Sequence, residues 1–284
     1  MGKSVVITGA NSGIGLVTAI ELAKAGYEVF GTARSAEKAS ELEEQATAQG
    51  VSVTGVVCDV SDPESCDKGF TEIANRTGGG PDAVINNAGT AQAGAIEDVS
   101  DELVHQQLEI NLVAPARVAR IVLPHMREQG SGHIINISSI AGRMSLPMMG
   151  WYCASKHGLE AMTDALRVEA ALFGVKVTLI EPGSFGTSIW ASGAGSMPEP
   201  SNPVYAGAYT QSKSAISRDH LLPDPIWVAR TIRLALASPV PLARYLVGVD
   251  AVTGAIAENL APTMVSDVVK GVATGLRKLP FTGR

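Results

Sequence analysis

Aromatic residues are scarce in this chain: phenylalanine, tryptophan and tyrosine make up 5% of its 284 residues. A core with so few rings must be filled by small aliphatic side chains, and 30 glycines with 45% apolar residues suit helices laid closely on a sheet. Cysteine is scarcer still. Cys58, Cys66 and Cys153 are too few and too scattered for a disulfide framework or a four-ligand zinc site, which points to a reducing compartment. Positive charge is not in excess. The net charge of −6 gives no attraction to nucleic acid or to an anionic membrane. No apolar run approaches the ~20 residues of a membrane span, and the apolar stretch after Lys3 is too short for a signal-peptide core. The histidines, His105, His125, His133, His157 and His220, form no ligand-spaced cluster, so no metal is expected. From these absences a soluble, cytoplasmic protein is expected.

What the chain does have is alternation. Short β-branched runs at Ser4–Thr8, Glu28–Thr32, Ser52–Cys58, Ala83–Asn86, His133–Ser138, Val175–Ile180 and Tyr245–Val249 read as strands. Amphipathic segments near 14–25, 35–49, 63–77, 101–129, 153–173 and 224–237 read as helices. Several strands are apolar on both faces, as a buried parallel sheet requires. The pattern predicts an α/β fold: one Rossmann-type domain over 1–284, a doubly wound parallel sheet of about seven strands with helices on both faces. Residues 184–225, rich in Gly, Pro, Ser and Tyr, interrupt the rhythm. A segment this long is expected to cover a substrate, the alternative being a variable surface insertion. The tail from Asp250 to Arg284 reads as one or two helices and a basic tip.

"VVITGANSGIG" places a strand, a glycine turn and a helix in order. Its glycines allow a tight turn and close backbone approach, and the helix start presents free N–H groups and a positive dipole end to an anion such as a pyrophosphate. The spacing differs from the usual GxGxxG and resembles the short-chain dehydrogenases/reductases. Thr8–Gly15 matches that family's cofactor motif. "NNAG" at Asn86–Gly89, "YCASK" at Tyr152–Lys156 and "EPGSFGT" at Glu181–Thr187 match three more, in the family's order, over roughly residues 1–190. The resemblance implies that Gly9, Asn11, Ser12, Gly13, Ile14 and Gly15 border a dinucleotide. It places Asp59 and Val60 at the adenine, Asn87, Ala88 and Gly89 along the ribose and nicotinamide, and Pro182, Gly183 and Thr187 over the nicotinamide. Asp59 read by itself fits equally a helix N-cap near Pro63 or a turn with Ser61 and Asp62.

An enzyme selective for NAD carries a carboxylate after the second strand. Ala33 stands where the resemblance would put it, and Arg34 follows. A guanidinium binds a 2′-phosphate that a carboxylate would repel, so NADP(H) is expected, with Ser12 a further contact. The competing reading of Arg34 is a solvated arginine at a helix start.

Tyr152 and Lys156 are spaced i,i+4 and share a helix face. A phenol has a pKa near ~10; a neighbouring ammonium and an oxidised nicotinamide favour phenolate and would draw that value down towards neutrality, where an acid–base group works best. The fifth strand ends in two serines, and the family's spacing of thirteen residues before the tyrosine selects Ser139, whose hydroxyl would steady a substrate carbonyl. Asn111 lies mid-helix. Pro115 has no N–H to give the Asn111 carbonyl, leaving it open to a water; the family uses that carbonyl to link its lysine to solvent, while an Asn–Pro kink for packing explains it as well.

The expected reaction is hydride transfer between NADP(H) and a hydrophobic ketone or secondary alcohol, as in a carbonyl reductase or alcohol dehydrogenase. Met144, Leu146, Met148, Met149, Trp151, Ile189 and Trp190 are the expected apolar wall, each equally able to be plain core. The pattern around Tyr152 leans towards the steroid- and retinol-type branch. Competing readings are a sugar-nucleotide epimerase or dehydratase of the same superfamily, and a non-catalytic NADP(H)-sensing regulator. The family implies a homodimer or homotetramer built on the helices of 101–129 and 152–173.

Overall fold

The computed structural model describes residues 2–187, 189, 193, 195–216 and 222–277. Seven strands form one sheet: β1 Ser4–Ile7, β2 Glu28–Ala33, β3 Thr54–Val57, β4 Ala83–Asn86, β5 Gly132–Ile137, β6 Val175–Pro182 and β7 Arg244–Val247. Their order is β3-β2-β1-β4-β5-β6-β7, with every neighbouring pair parallel. The helices between them are α1 Gly13–Lys24, α2 Ala36–Ala48, α3 Pro63–Thr77, α4 Asp101–Leu108, α5 Ala114–Gln129, α6 Gly150–Ala171, α7 Ala206–Ile216 and α8 Ile226–Ala237; α9 Val249–Leu260 and α10 Thr263–Ala273 follow β7. This is the doubly wound Rossmann-type architecture that the alternation predicts.

The two-residue period of a strand divides the core into two layers. Val5 and Ile7 of β1 and Ile135 of β5 face a cluster with Leu22 of α1, Leu42 of α2 and Ile232 of α8. Val6 and Ile134, one residue out of phase, face Phe70 of α3 and Val118 and Val122 of α5. Every one of these is fully or almost fully buried, which is why the strands carry apolar residues on both faces.

The stretch expected as one helix over 101–129 is interrupted. Glu109–Val113 forms a π-turn between α4 and α5, where the Ala114 N–H reaches back five residues to the Glu109 carbonyl. Pro115, without an N–H, sits in the first turn of α5. A π-turn adds one residue to the helix and turns its side chains relative to the preceding turn. No helix among the described residues is long and apolar enough to cross a membrane.

Candidate active site

The chain leaves β1 towards β2 and β3 on one side, while β4 to β7 build the other. Connections that diverge in this way open a crevice at the carboxyl ends of the strands. A cleft of about 360 Å³ occupies it. The turn after β1 is its floor. Gly9 and Gly13 have φ of 63° and 54°, in the left-handed region that side chains disfavour. A Cβ on Gly9 would lie 2.9 Å from Ala88 Cα in the loop after β4, and one on Gly15 would strike the Gly9 carbonyl and the Asn87 amide. Asn87 ties the same turn down: its Nδ2 donates to the Thr8 and Gly9 carbonyls at 2.9 and 3.0 Å. Helix α1 has no acid in its first turn. Its amides and positive end therefore face the cleft unopposed by a carboxylate of that turn.

Of the sequence-predicted cofactor residues, Gly9, Asn11, Ser12, Gly13, Ile14, Arg34, Asp59, Val60, Asn87, Ala88, Gly89, Pro182, Gly183 and Thr187 line this cleft, with Ser139, Tyr152 and Lys156. Gly15 lies beneath the turn. Asn111 stands one layer back and is fully buried. Arg34 is exposed where β2 ends in Ala33. Asp59 is a turn residue, its Oδ1 accepting from the Ser61 N–H and hydroxyl at 3.0 and 2.7 Å. The N-cap of α3 is Asp62, not Asp59, since Asp62 accepts from the Glu64 N–H at 3.0 Å.

Tyr152 and Lys156 project from one face of α6 to the end of β5. Lys156 Nζ donates to the Ile137 carbonyl at 2.8 Å and lies 5.8 Å from the centre of the Tyr152 ring. Ser139, next after that strand end and its neighbour Ser138, hydrogen-bonds the phenol. It also caps the short 3₁₀ turn Ile140–Gly142, accepting from the Ala141 N–H at 3.1 Å. The cap and the phenol contact together hold its Oγ in place. Behind them the Asn111 amide is fully used: Oδ1 accepts from the Thr90 N–H at 2.9 Å, and Nδ2 donates to the Thr90 carbonyl and to Ser155 Oγ at 2.9 and 3.0 Å. The π-turn thus carries a residue that joins the loop after β4 to α6.

A family model described as short chain dehydrogenase matches residues 3–193. The chain belongs to the short-chain dehydrogenase family. It is 42% identical over 195 residues to the uncharacterized oxidoreductase YusZ of Bacillus subtilis, covering 67% of this chain and 68% of that protein. It is 33% identical over 270 residues to the NADPH-dependent 3-dehydrocapnine reductase of Ornithobacterium rhinotracheale, covering 93% and 94%. A crystal structure of a short-chain dehydrogenase from Streptomyces avermitilis superposes with a TM-score of 0.81 at 33% identity, covering 97% of this chain and 98% of that one.

In this short-chain dehydrogenase burial governs the two titratable groups of the site. It pushes the Tyr152 phenol up to about 12, against the Ser139 hydrogen bond, which pulls the other way. It pushes the Lys156 ammonium down to about 8, partly countered by the charge of Glu160. The sequence-based expectation of a phenol drawn towards neutrality by its lysine is therefore reversed for the protein's own groups, because desolvation outweighs the ammonium. Tyr152 holds its proton at neutral pH.

The expected apolar wall is also corrected. Of its members Ile189 lines the cleft. Met148 is buried with Met197 and Tyr209 of the insertion, and Leu146 and Met149, like Ile189, pack against the cluster of Ala91, Ala141, Tyr152 and Cys153. Met144 faces α9, its Sδ 3.3 Å from where Gly254 would carry a Cβ. Trp151 has a buried indole N–H without a hydrogen-bond partner. Trp190 lies outside the described residues. Backbone geometry, invisible in composition, is the reason. Met148 has φ 66°, and its carbonyl accepts from the Gly94 N–H at 2.8 Å, which turns the side chain towards the insertion.

Sequence reasoning missed the supports. Asn86 Nδ2 donates to Asn136 Oδ1, and Asn136 Nδ2 donates to Thr163 Oγ1, both at 2.8 Å. This buried chain pins α6, and with it Tyr152 and Lys156, to β4 and β5. Two asparagines within apolar strands were its signal, since a buried amide demands partners. The insertion is anchored too. Tyr209 donates to Asp98 Oδ2 at 2.6 Å and accepts from the Ala95 N–H at 3.1 Å, and Gln92 Nε2 donates to the Ser196 carbonyl at 2.9 Å.

Proposed function

We propose that this short-chain dehydrogenase is an NADP(H)-dependent oxidoreductase that interconverts a hydrophobic ketone and its secondary alcohol, with Tyr152 as general acid and base. The observation that carries the proposal is the convergence of Ser139, Tyr152 and Lys156 on the cleft whose far end is built by the glycine turn and Arg34. The site fits a dinucleotide. Gly9 and Gly13 line the cleft without side chains, α1 offers its N-terminus to a pyrophosphate, and Arg34, with Ala33 where a carboxylate would discriminate against it, suits a 2′-phosphate. A relative is named an NADPH-dependent reductase, in agreement with this choice.

When bound, the nicotinamide supplies or takes the hydride. The chain's own residues handle the oxygen and its proton. Ser139 Oγ, fixed by its cap, orients the carbonyl oxygen and stabilises charge growing on it. Tyr152 stands beside it in the phenol form, the form that can donate a proton to that oxygen in reduction. Lys156 lies behind the ring, where its charge stabilises the phenolate left after donation. Asn111, through Thr90 and Ser155, fixes the distance between the loop after β4 and α6. Residues 184–225 act as the cover, anchored through Tyr209, Asp98 and Gln92, with Thr187 and Ile189 reaching the cleft. Phe185 and Ile189, which line that side of the cleft, suit a hydrophobic substrate.

The test is NADPH consumption against a panel of aliphatic, alicyclic and aryl ketones, with Tyr152→Phe as control. Turnover with NADPH that disappears in the variant is expected; turnover that survives in it overturns the role of Tyr152. A panel without turnover, combined with tight NADPH binding, overturns the enzymatic reading.

A further inference from the structure

Behind Lys156, away from the cleft, two carboxyl groups meet. Glu160 stands one helical turn after Lys156 on α6, and Glu181 is the last but one residue of β6, immediately before Pro182 and Gly183. They are 6% and 0% exposed. Their carboxyl groups lie within reach of a hydrogen bond that a proton on either one would make. One guanidinium nitrogen lies between them: Arg244 Nε donates to Glu160 Oε2 at 3.1 Å and makes only an ion-pair contact with Glu181 Oε1 at 3.2 Å. Yet Glu160 Oε1 and both oxygens of Glu181 have no hydrogen-bond donor. Ser138 Oγ nearby is also without a partner; a Cβ on Gly142 would sit 2.8 Å from it and 3.0 Å from Glu160 Cγ.

Three orphaned carboxyl oxygens in a dry interior are costly, and two carboxylates in contact cannot both stay ionised there. The donor that is missing is a hydrogen atom on one of the carboxyl groups. The surrounding charges do not remove that need. Among the described residues the charged groups facing the pair are Lys156 and Asp164 from α6, Arg143 from the turn after β5 and Arg244 from β7. Arg244 is shared with Asp164, and Arg143 Nε approaches Glu181 Oε2 no closer than 3.7 Å.

We propose that Glu160 and Glu181 are positioning residues that share one proton, and that this carboxyl pair keeps Lys156 charged while locking α6 to the corner that leads into Pro182 and Gly183. The coupling to Lys156 follows from place: the charge of Glu160, one turn away, favours the ammonium that burial disfavours. The same pair joins three parts of the site, namely the helix bearing Tyr152 and Lys156, the turn after Ser139 through Arg143, and the strand end before Gly183. Burial and Glu160 hold the Glu181 carboxyl well above the usual carboxylate range, in keeping with a retained proton. The part of the proposal that concerns catalysis rests on the proposed role of Lys156; the shared proton does not.

Two measurements test it. The first is urea unfolding of the wild type and of Glu181→Gln, which keeps the shape of the protonated acid and does not titrate. The unfolded chain releases its Glu181 proton in the ordinary carboxylate range while the native pair retains it, so native stability falls as pH rises above that range. The wild type is expected to lose stability relative to Glu181→Gln as pH rises from the carboxylate range towards neutrality. Parallel curves overturn the shared proton. The second is the titration of the Lys156 side chain, followed by NMR on labelled lysine. In Glu160→Gln the midpoint is expected to move to lower pH, and an unmoved midpoint overturns the coupling. A midpoint that moves while the alkaline limb of the kcat profile stays in place leaves the pair standing and overturns the catalytic role of Lys156.

Discussion

Lys156→Met isolates the cost of burying the ammonium. The lysine is 5% exposed, and its folded-state value of about 8 lies below the ordinary 10.5. That difference corresponds to about 3.4 kcal/mol in favour of the neutral amine. The sign follows from proton counting. Between those two pH values the unfolded chain holds a proton that the native state has released, so the wild type gains stability as pH rises through this window; at neutral pH the ammonium form carries nearly the whole penalty. Methionine has a similar length and no charge, so the wild-type minus variant difference cancels the titrating groups that are not coupled to Lys156. That difference is expected to move in favour of the wild type by about 2.5 kcal/mol between pH 7 and pH 10. Urea unfolding of both proteins at several pH values reads it directly. A difference that stays flat across the window refutes the reasoning that burial governs Lys156.

Arg34→Ala removes one charge-assisted partner of a 2′-phosphate, worth about 1.5–3 kcal/mol. NADPH binding measured by fluorescence titration is expected to weaken by about 10- to 150-fold, with NADH affected little; equal losses for both refute the assignment. Tyr152→Phe is expected to leave the Kd for NADPH unchanged and to lower kcat by about 10²–10⁴, the usual contribution of a positioned acid. Gly15→Ala forces a methyl group against the Gly9 carbonyl and the Asn87 amide. The expected result is a loss of about 1–3 kcal/mol in unfolding free energy, with weaker NADPH binding in the same preparation. An alanine variant as stable as the wild type would mean that the turn can open at little cost.

The amino-acid sequence by itself determined the sheet. Each strand is a short apolar run bounded by turn residues, and Val5–Val6–Ile7 already states, by period two, that both faces are covered. It also determined which residues border the cleft, because TGANSGIG, NNAG and YCASK are local motifs whose residues reach it from strand ends or one helix face. Three matters were decided only by tertiary structure. The direction in which burial moves Tyr152 and Lys156 depends on how much protein surrounds them, which no i,i+4 spacing contains. The place of Met148 depends on a left-handed backbone and a bond to Gly94, and it packs with the insertion instead of lining the cleft. The meeting of Glu160 with Glu181 joins a helix to a strand across twenty-one positions of sequence, and only the packing of α6 on β6 brings two like charges to one place. Local pattern sets which elements form; dielectric environment and long-range contact set what their side chains can do.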